Sequence, residues 1–156
     1  MAEAGQYPLI LDRIQDLIEP VVGGATVHLY QRHVGDWKQM IETFKVGTAP
    51  NVTIHGWMIS RSDVEEEWLT NMETISDHTI VIRGVMGVKD SAVTEDTFND
   101  YIEAIRTSFR SNLDLGGACE YHKPLKFKIS YRNFSGILCH YAEGTLIVRE
   151  RLLGGY

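Results

Sequence analysis

Two apolar periods divide this chain into elements. From Pro8 to about Val21, the residues Ile10, Ile14, Leu17, Ile18 and Val21 recur every three or four positions, the spacing of one helix face. Pro8 suits a first helical turn, where its missing N–H leaves no bond unmade. Pro20 disfavours helix at the residue before it, and Gly23-Gly24 stop the helix. Ala25 to Arg32 predicts a short strand. His33 to Pro50 is a long connection, and its Trp37, Met40, Ile41 and Phe44 also fit a short helix. A structureless connection of that length is unusual in a compact domain; a functional loop is one explanation and partial order another.

Asn51 to Arg61 predicts a second strand. The pattern then turns polar through Arg61-Ser62-Asp63 and Glu65-Glu66-Glu67, and strand pairing is expected to resume at about His78. This predicts a hairpin with a long acidic tip over residues 63–72. Trp68 and Leu69 sit inside that stretch. An indole there calls for a cover, either a partner or its own domain folding back.

The run from His78 to Lys89 is rich in β-branched residues and predicts a strand. After a bend over residues 90–96, Phe98, Tyr101, Ile102, Ile105 and Phe109 return to helical spacing. Thr94 is expected to cap this helix, and Asn112 to end it as a left-handed residue. Glu95 and Asp96 complement its positive end, Arg106 and Arg110 its negative end.

Period two governs the C-terminal third. Leu125, Phe127, Ile129 and Tyr131 alternate with Lys126, Lys128, Ser130 and Arg132, which predicts one buried and one solvated face. Asn133-Phe134-Ser135-Gly136 forms a turn. Ile137 to Leu152 is the last strand, expected to break or bulge near Glu143-Gly144. So short a turn makes the two strands an antiparallel hairpin. The order α-β-β-β-α-β-β is that of an α+β fold. The expectation is a mostly antiparallel, four- to five-stranded sheet with two main helices packed on one face.

Composition narrows the class. The 156 residues suit one domain with a core of its own, and no apolar run approaches the length of a membrane helix. The N-terminus has neither the basic region nor the apolar core of a secretory signal, so a cytoplasmic chain is expected. Two cysteines, Cys119 and Cys139, are too few for a disulfide framework. The net charge of −6 argues against gripping DNA through its phosphates. It is compatible with surrounding DNA that slides past.

Catalytic and metal patterns are weak. Cys119, His122, Cys139 and His140 make the one ligand-like cluster, but adjacent strand residues leave opposite faces, so a zinc site falls a ligand short. Ser60, Ser62 and Ser135 lack a nucleophile elbow. Three consecutive acids suit a solvated face. The 14 glycines form no phosphate-cradling loop. A non-enzyme without cofactor or metal is expected.

Larger stretches carry a resemblance. They are His55-Gly-Trp-Met-Ile-Ser-Arg61, Asn71-Met-Glu73, and His78-Thr-Ile-Val-Ile-Arg-Gly84-Val-Met-Gly87. The helix Thr97 to Arg110, Leu115-Gly-Gly117 and Gly136-Ile-Leu-Cys-His-Tyr-Ala142 complete the set. Together they resemble tail terminator (tail completion) proteins of long-tailed bacteriophages, over most of the chain from Ala25 to its end. The resemblance implies an α+β subunit of a homo-hexameric ring on the last ring of the tail tube protein. Such a ring halts tube growth and meets the head-tail connector or stopper protein, while DNA crosses its lumen unread. It implies a place in the virion, at the neck end of the tail, after assembly in the host cytoplasm. Another neck or tail-tube protein of the same fold group stays open. So does a small α+β ligand-binding module with a pocket of Trp57, Tyr30 and His55, or a toxin–antitoxin-like partner protein.

A ring subunit repeats one heterologous contact, so one of its faces must complement another. The acidic Glu65, Glu66 and Glu67 and the basic Lys126, Lys128 and Arg132 are candidates for those faces. Arg61, Trp68 and Trp37 complete the expected subunit or partner interface.

Overall fold

Ile10, Ile14 and Ile18 fall on one side of a helix and are all buried. They lie on α1, Tyr7–Ile18, which a 3-10 turn over Glu19–Val21 continues. The computed structural model describes residues 4–30, 37–46, 53–89, 93–134 and 136–153. Beyond α1 come β1 (Thr26–His28), α2 (Trp37–Phe44), β2 (Lys45–Val46), β3 (Thr53–Thr70) and β4 (Glu73–Gly87). Then follow α3 (Thr94–Arg110), β5 (Tyr121–His122), β6 (Lys126–Phe134) and β7 (Ile137–Leu153).

The fold is α+β, and its sheet differs from expectation. It is mixed and seven-stranded, ordered β1-β3-β4-β7-β5, with β2 on β3 and β6 on β7. β1 runs parallel to β3, because the chain between them crosses back through α2. The remaining pairings are antiparallel. β2 and β5 have two residues each, too few to show a period.

α1 and α3 cover one face of this sheet. Ile10, Ile14 and Ile18 of α1 and Phe98, Ile102, Ile105 and Phe109 of α3 pack with Trp57, Ile59, Ile80, Ile82, Leu146 and Val148. A third helix covers part of the other face. Phe44 of α2 joins Ile54, Met58, Val85, Cys139 and Tyr141 in a second cluster. The His33–Pro50 connection is therefore partly structural: its helix supplies core.

The largest departure is in the hairpin. β3 does not stop at Arg61. It pairs with β4 from His55↔Met86 to Thr70↔Glu73, with register shifts at Arg61/Asp63 and Trp68/Thr70. Only Asn71 and Met72 turn. The expected acidic tip is thus a strand, and every residue from Arg61 to Thr70 is exposed. With both faces in water, no apolar alternation is needed, so the period-two signal vanishes.

β7 also runs unbroken through Glu143-Gly144, with Ile82↔Gly144 and Phe127↔Gly144 in register. Gly144 makes room rather than a bulge: a Cβ there would lie 2.6 Å from Phe127 Cε1. Thr94 does not cap α3. Val93 occupies the cap position with φ 51°, and Thr94 Oγ1 instead accepts the Lys89 N–H at 2.9 Å. Asn112 is not the left-handed stop. Ser111 caps the helix at φ −87°, and left-handed backbone comes later, at Leu115, Gly116 and Gly117.

Candidate functional site

Cross-strand partners share a face, so the register sorts each edge strand into two sets. On β3, Val64, Glu66 and Trp68 pair with His78, Ser76 and Thr74. His78 stacks on Tyr7 of α1 at 5.6 Å, which places this set on the α1/α3 side. Asp63, Glu65 and Glu67 therefore project to the other side. On β6, Phe127, Ile129 and Tyr131 pair with Gly144, Ala142 and His140. Ala142 belongs to the main core, so these three share the α1/α3 side. Lys126, Lys128 and Arg132 project to the side of the Cys139 cluster.

Both strands lie at open edges. β1 and β2 pair with β3 only between Thr53 and Met58. Among the described residues no strand pairs with the outer edge of β3 from Ile59 to Thr70, nor with the outer edge of β6.

The charges on these edges differ from those between them. On the central strands, Asp77 takes a bidentate contact from Arg149, both bonds 2.8 Å, which holds its carboxyl below the usual range. Arg83 meets Glu143, and Arg151 meets Glu73 and Glu120. Among the described residues, Asp63, Glu65, Glu66, Glu67, Lys126 and Lys128 form no ion pair, and Arg132 lies over the Tyr141 ring at 4.0 Å. The two candidate patches stand at opposite edges with β4 and β7 between them, so they do not meet within one subunit.

The other expected interface residues divide. Trp68 is 67% exposed, so it does not fold back on its own domain. Arg61 is engaged internally, 4.1 Å over the Tyr7 ring with Nη1 3.4 Å from His78 Nδ1. Trp37 begins α2, and its side chain lies outside the described residues. The apolar face expected on β6 is only partly buried: Phe127 packs on the core, but Ile129 is 54% and Tyr131 53% exposed. Periodicity finds a face; whether a layer covers it depends on how far the helices reach. The open edges leave no sequence signal, because pairing is a property of the assembled sheet.

The interior histidines serve packing. His140 Nε2 lies 2.9 Å from Thr94 Oγ1, and its ring stacks on Phe98. His122 sets its two ring nitrogens 2.8 and 2.9 Å from the carbonyl oxygens of Lys123 and Phe109, tying the end of α3 to β5. His78 Nε2 stands 3.3 Å from the buried Glu150 Oε1, while Glu150 Oε2 accepts the Gln6 N–H at 2.6 Å. The zinc-like quartet is dispersed. His122 faces carbonyls, His140 faces Thr94, and Cys139 donates to the Ile137 carbonyl at 3.7 Å on the opposite side of the sheet. Among the described residues no group of three or more His, Cys, Asp or Glu converges on a metal position. Burial, with the charges of Asp114 and Glu150, pushes the Cys119 thiol up to about 11. Burial alone takes Cys139 to about 11. Both are thiols at neutral pH and weak nucleophiles.

Trp57, Tyr30 and His55 do not share a pocket. Trp57 and His55 are core, and Tyr30 is 57% exposed. A cleft of about 250 Å3 opens beside Gln6, Cys119, Glu150 and Leu152, but its buried carboxylate is already engaged with Gln6 and His78.

His55 carries a pH dependence. Its Nε2 accepts the Trp57 Nε1–H at 2.9 Å, Tyr101 stacks on it at 4.8 Å, and burial lowers its pKa from 6.5 to about 4. A base harder to protonate when folded contributes nothing above pH 6.5. As pH falls toward 4, the unfolded chain takes up the proton first, so folding loses up to about 3 kcal/mol. Urea titrations of His55→Gln, which keeps an acceptor for the indole, should show a smaller loss of stability over that interval. An undiminished loss would assign it to other groups.

Compared with known protein families and curated proteins, the chain matches no family model and no curated protein significantly. Among the described residues no helix is long and apolar enough to cross a membrane.

Proposed function

We propose that this protein is a structural subunit of a ring at the head-proximal end of a phage tail. There it ends tube growth and offers the surface that the head connector or stopper protein meets. DNA passes through without being read, and no bond is made or broken. One observation carries the ring: two open strand edges on opposite sides of one sheet bear unpaired charges of opposite sign. A contact between unlike edges is heterologous, so each copy keeps both edges in use, and the contacts make a ring when the rotation from copy to copy closes around an axis. The place of the ring on a tail rests on the sequence resemblance. The net charge of −6 suits a lumen that repels DNA rather than binding it.

The test is direct. Virions carrying an epitope-tagged copy should be labelled at the neck end of the tail and nowhere else, and deletion of the protein should give tails of uncontrolled length that fail to join heads. Another neck or tail-tube protein of the same fold group would label a different position. Absence from the virion would end the proposal.

A further inference from the structure

We infer that neighbouring copies join by direct strand pairing, the open edge of β3 in one copy against the open edge of β6 in the next. This rests on the ring reading and specifies its contact. β3, β4, β7 and β6 alternate in direction across the sheet, so β6 runs opposite to β3. Copies of equal orientation around an axis therefore present β6 antiparallel to the neighbour's β3, and the sheet continues without a break in its alternation.

The side chains favour a narrow set of registers. An antiparallel register with Glu67 opposite Lys128 also sets Asp63 opposite Arg132, both on the side away from α1 and α3. Counting two residues at a time, the same register sets Val64 opposite Tyr131 and Trp68 opposite Phe127 on the other side. Acid thus meets base on one face, and on the other two apolar pairs flank Glu66, which stands opposite Ile129. A slip by one residue would set Glu67 against Ile129 and Glu65 against Tyr131, and would lose both acid–base pairs. The contact accounts for Trp68, Val64 and Tyr131, which are exposed in the single subunit. It also accounts for an edge strand whose pairing groups are otherwise left open, a template that proteins seldom leave unguarded. The acids guard it against itself, since two β3 edges repel one another. The two edges sit at different heights on the sheet: β6 pairs with β7 from Ile137 to Thr145, whereas the open stretch of β3 aligns with the Thr145–Leu153 half. Successive copies would be staggered, as strands closing around an axis require.

The test is disulfide trapping in a Cys119→Ser background. Val64→Cys and Tyr131→Cys are made on separate chains, oxidised at high protein concentration and low salt, and read on non-reducing gels. Neither chain alone should link, their mixture should give a linked dimer, and the double variant should give a ladder. Cys139 is buried and should stay silent. Linking by Val64→Cys alone would mean two β3 edges meet and would overturn the inference. So would an unlinked mixture, or equal linking of Val64→Cys with Lys128→Cys, whose side chains leave opposite faces. Rings that form without the link would overturn the strand pairing and leave the tail reading standing. The link in a protein absent from virions would do the reverse.

Discussion

Trp57→Ala is expected to destabilise the protein by about 3–5 kcal/mol, the range for truncating a large aromatic in a packed core. That is a large fraction of the stability an ordinary domain has. Trp57 is fully buried on β3, stacked on Phe98 of α3 at 5.9 Å and set edge-on to Phe127 of β6 at 6.4 Å. It therefore ties the central sheet to a helix and to the far edge strand at once. The backbone is shaped around it: a Cβ on Gly84 would lie 2.5 Å from the ring. Removing the indole leaves a void against a glycine that has no side chain to fill it, and strips His55 of its N–H donor. Urea denaturation followed by circular dichroism should show the loss. Trp57→Phe should lose less, because it retains most of the ring volume. A loss below about 1 kcal/mol for Trp57→Ala would mean that the core collapses to fill the space, contrary to the close packing of protein interiors.

The parts of this fold legible in the sequence are those where one face is buried and the other is not. Ile10, Ile14 and Ile18, and Phe98, Ile102, Ile105 and Phe109, announce α1 and α3 because a single layer covers each helix along its length. The β4 run from His78 is legible for the opposite reason, being apolar on both faces between two packed layers. The β3 extension is not legible, because Asp63 to Thr70 is wet on both sides and carries no period. Gly144 reads as a break and is a seat for Phe127, a contact between neighbouring strands that one strand's pattern does not contain. The candidate surface is legible by residue type and not by place. Runs of acids and alternating lysines stand out, but only the strand order puts them at opposite edges.

 Lys126→Glu with Lys128→Glu is expected to weaken ring assembly roughly tenfold to a hundredfold at low ionic strength, at about 1.4 kcal/mol per tenfold. In the register argued above, Lys128 stands opposite Glu67 and diagonal to Glu65, and Lys126 stands diagonal to Glu67, all within reach across a strand pair. Reversal sets like charges against one another, which disfavours an interface more than mere loss of attraction. The folded subunit should be unaffected, because both lysines are exposed and form no ion pair among the described residues. Thermal unfolding of the variant should therefore match the parent while its sedimentation shifts toward monomer.

Glu65→Lys with Glu67→Lys should weaken assembly in the same way, and the four changes together should restore much of it, since the pairs are then reversed rather than lost. Added salt should narrow every one of these differences, because the charges lie at a solvated edge. If the fourfold variant stays as weak as either double variant, the acids and lysines do not face one another, and the charge match between the edges is incidental. If the lysine reversal leaves assembly unchanged at low salt, the β6 edge is not part of the contact.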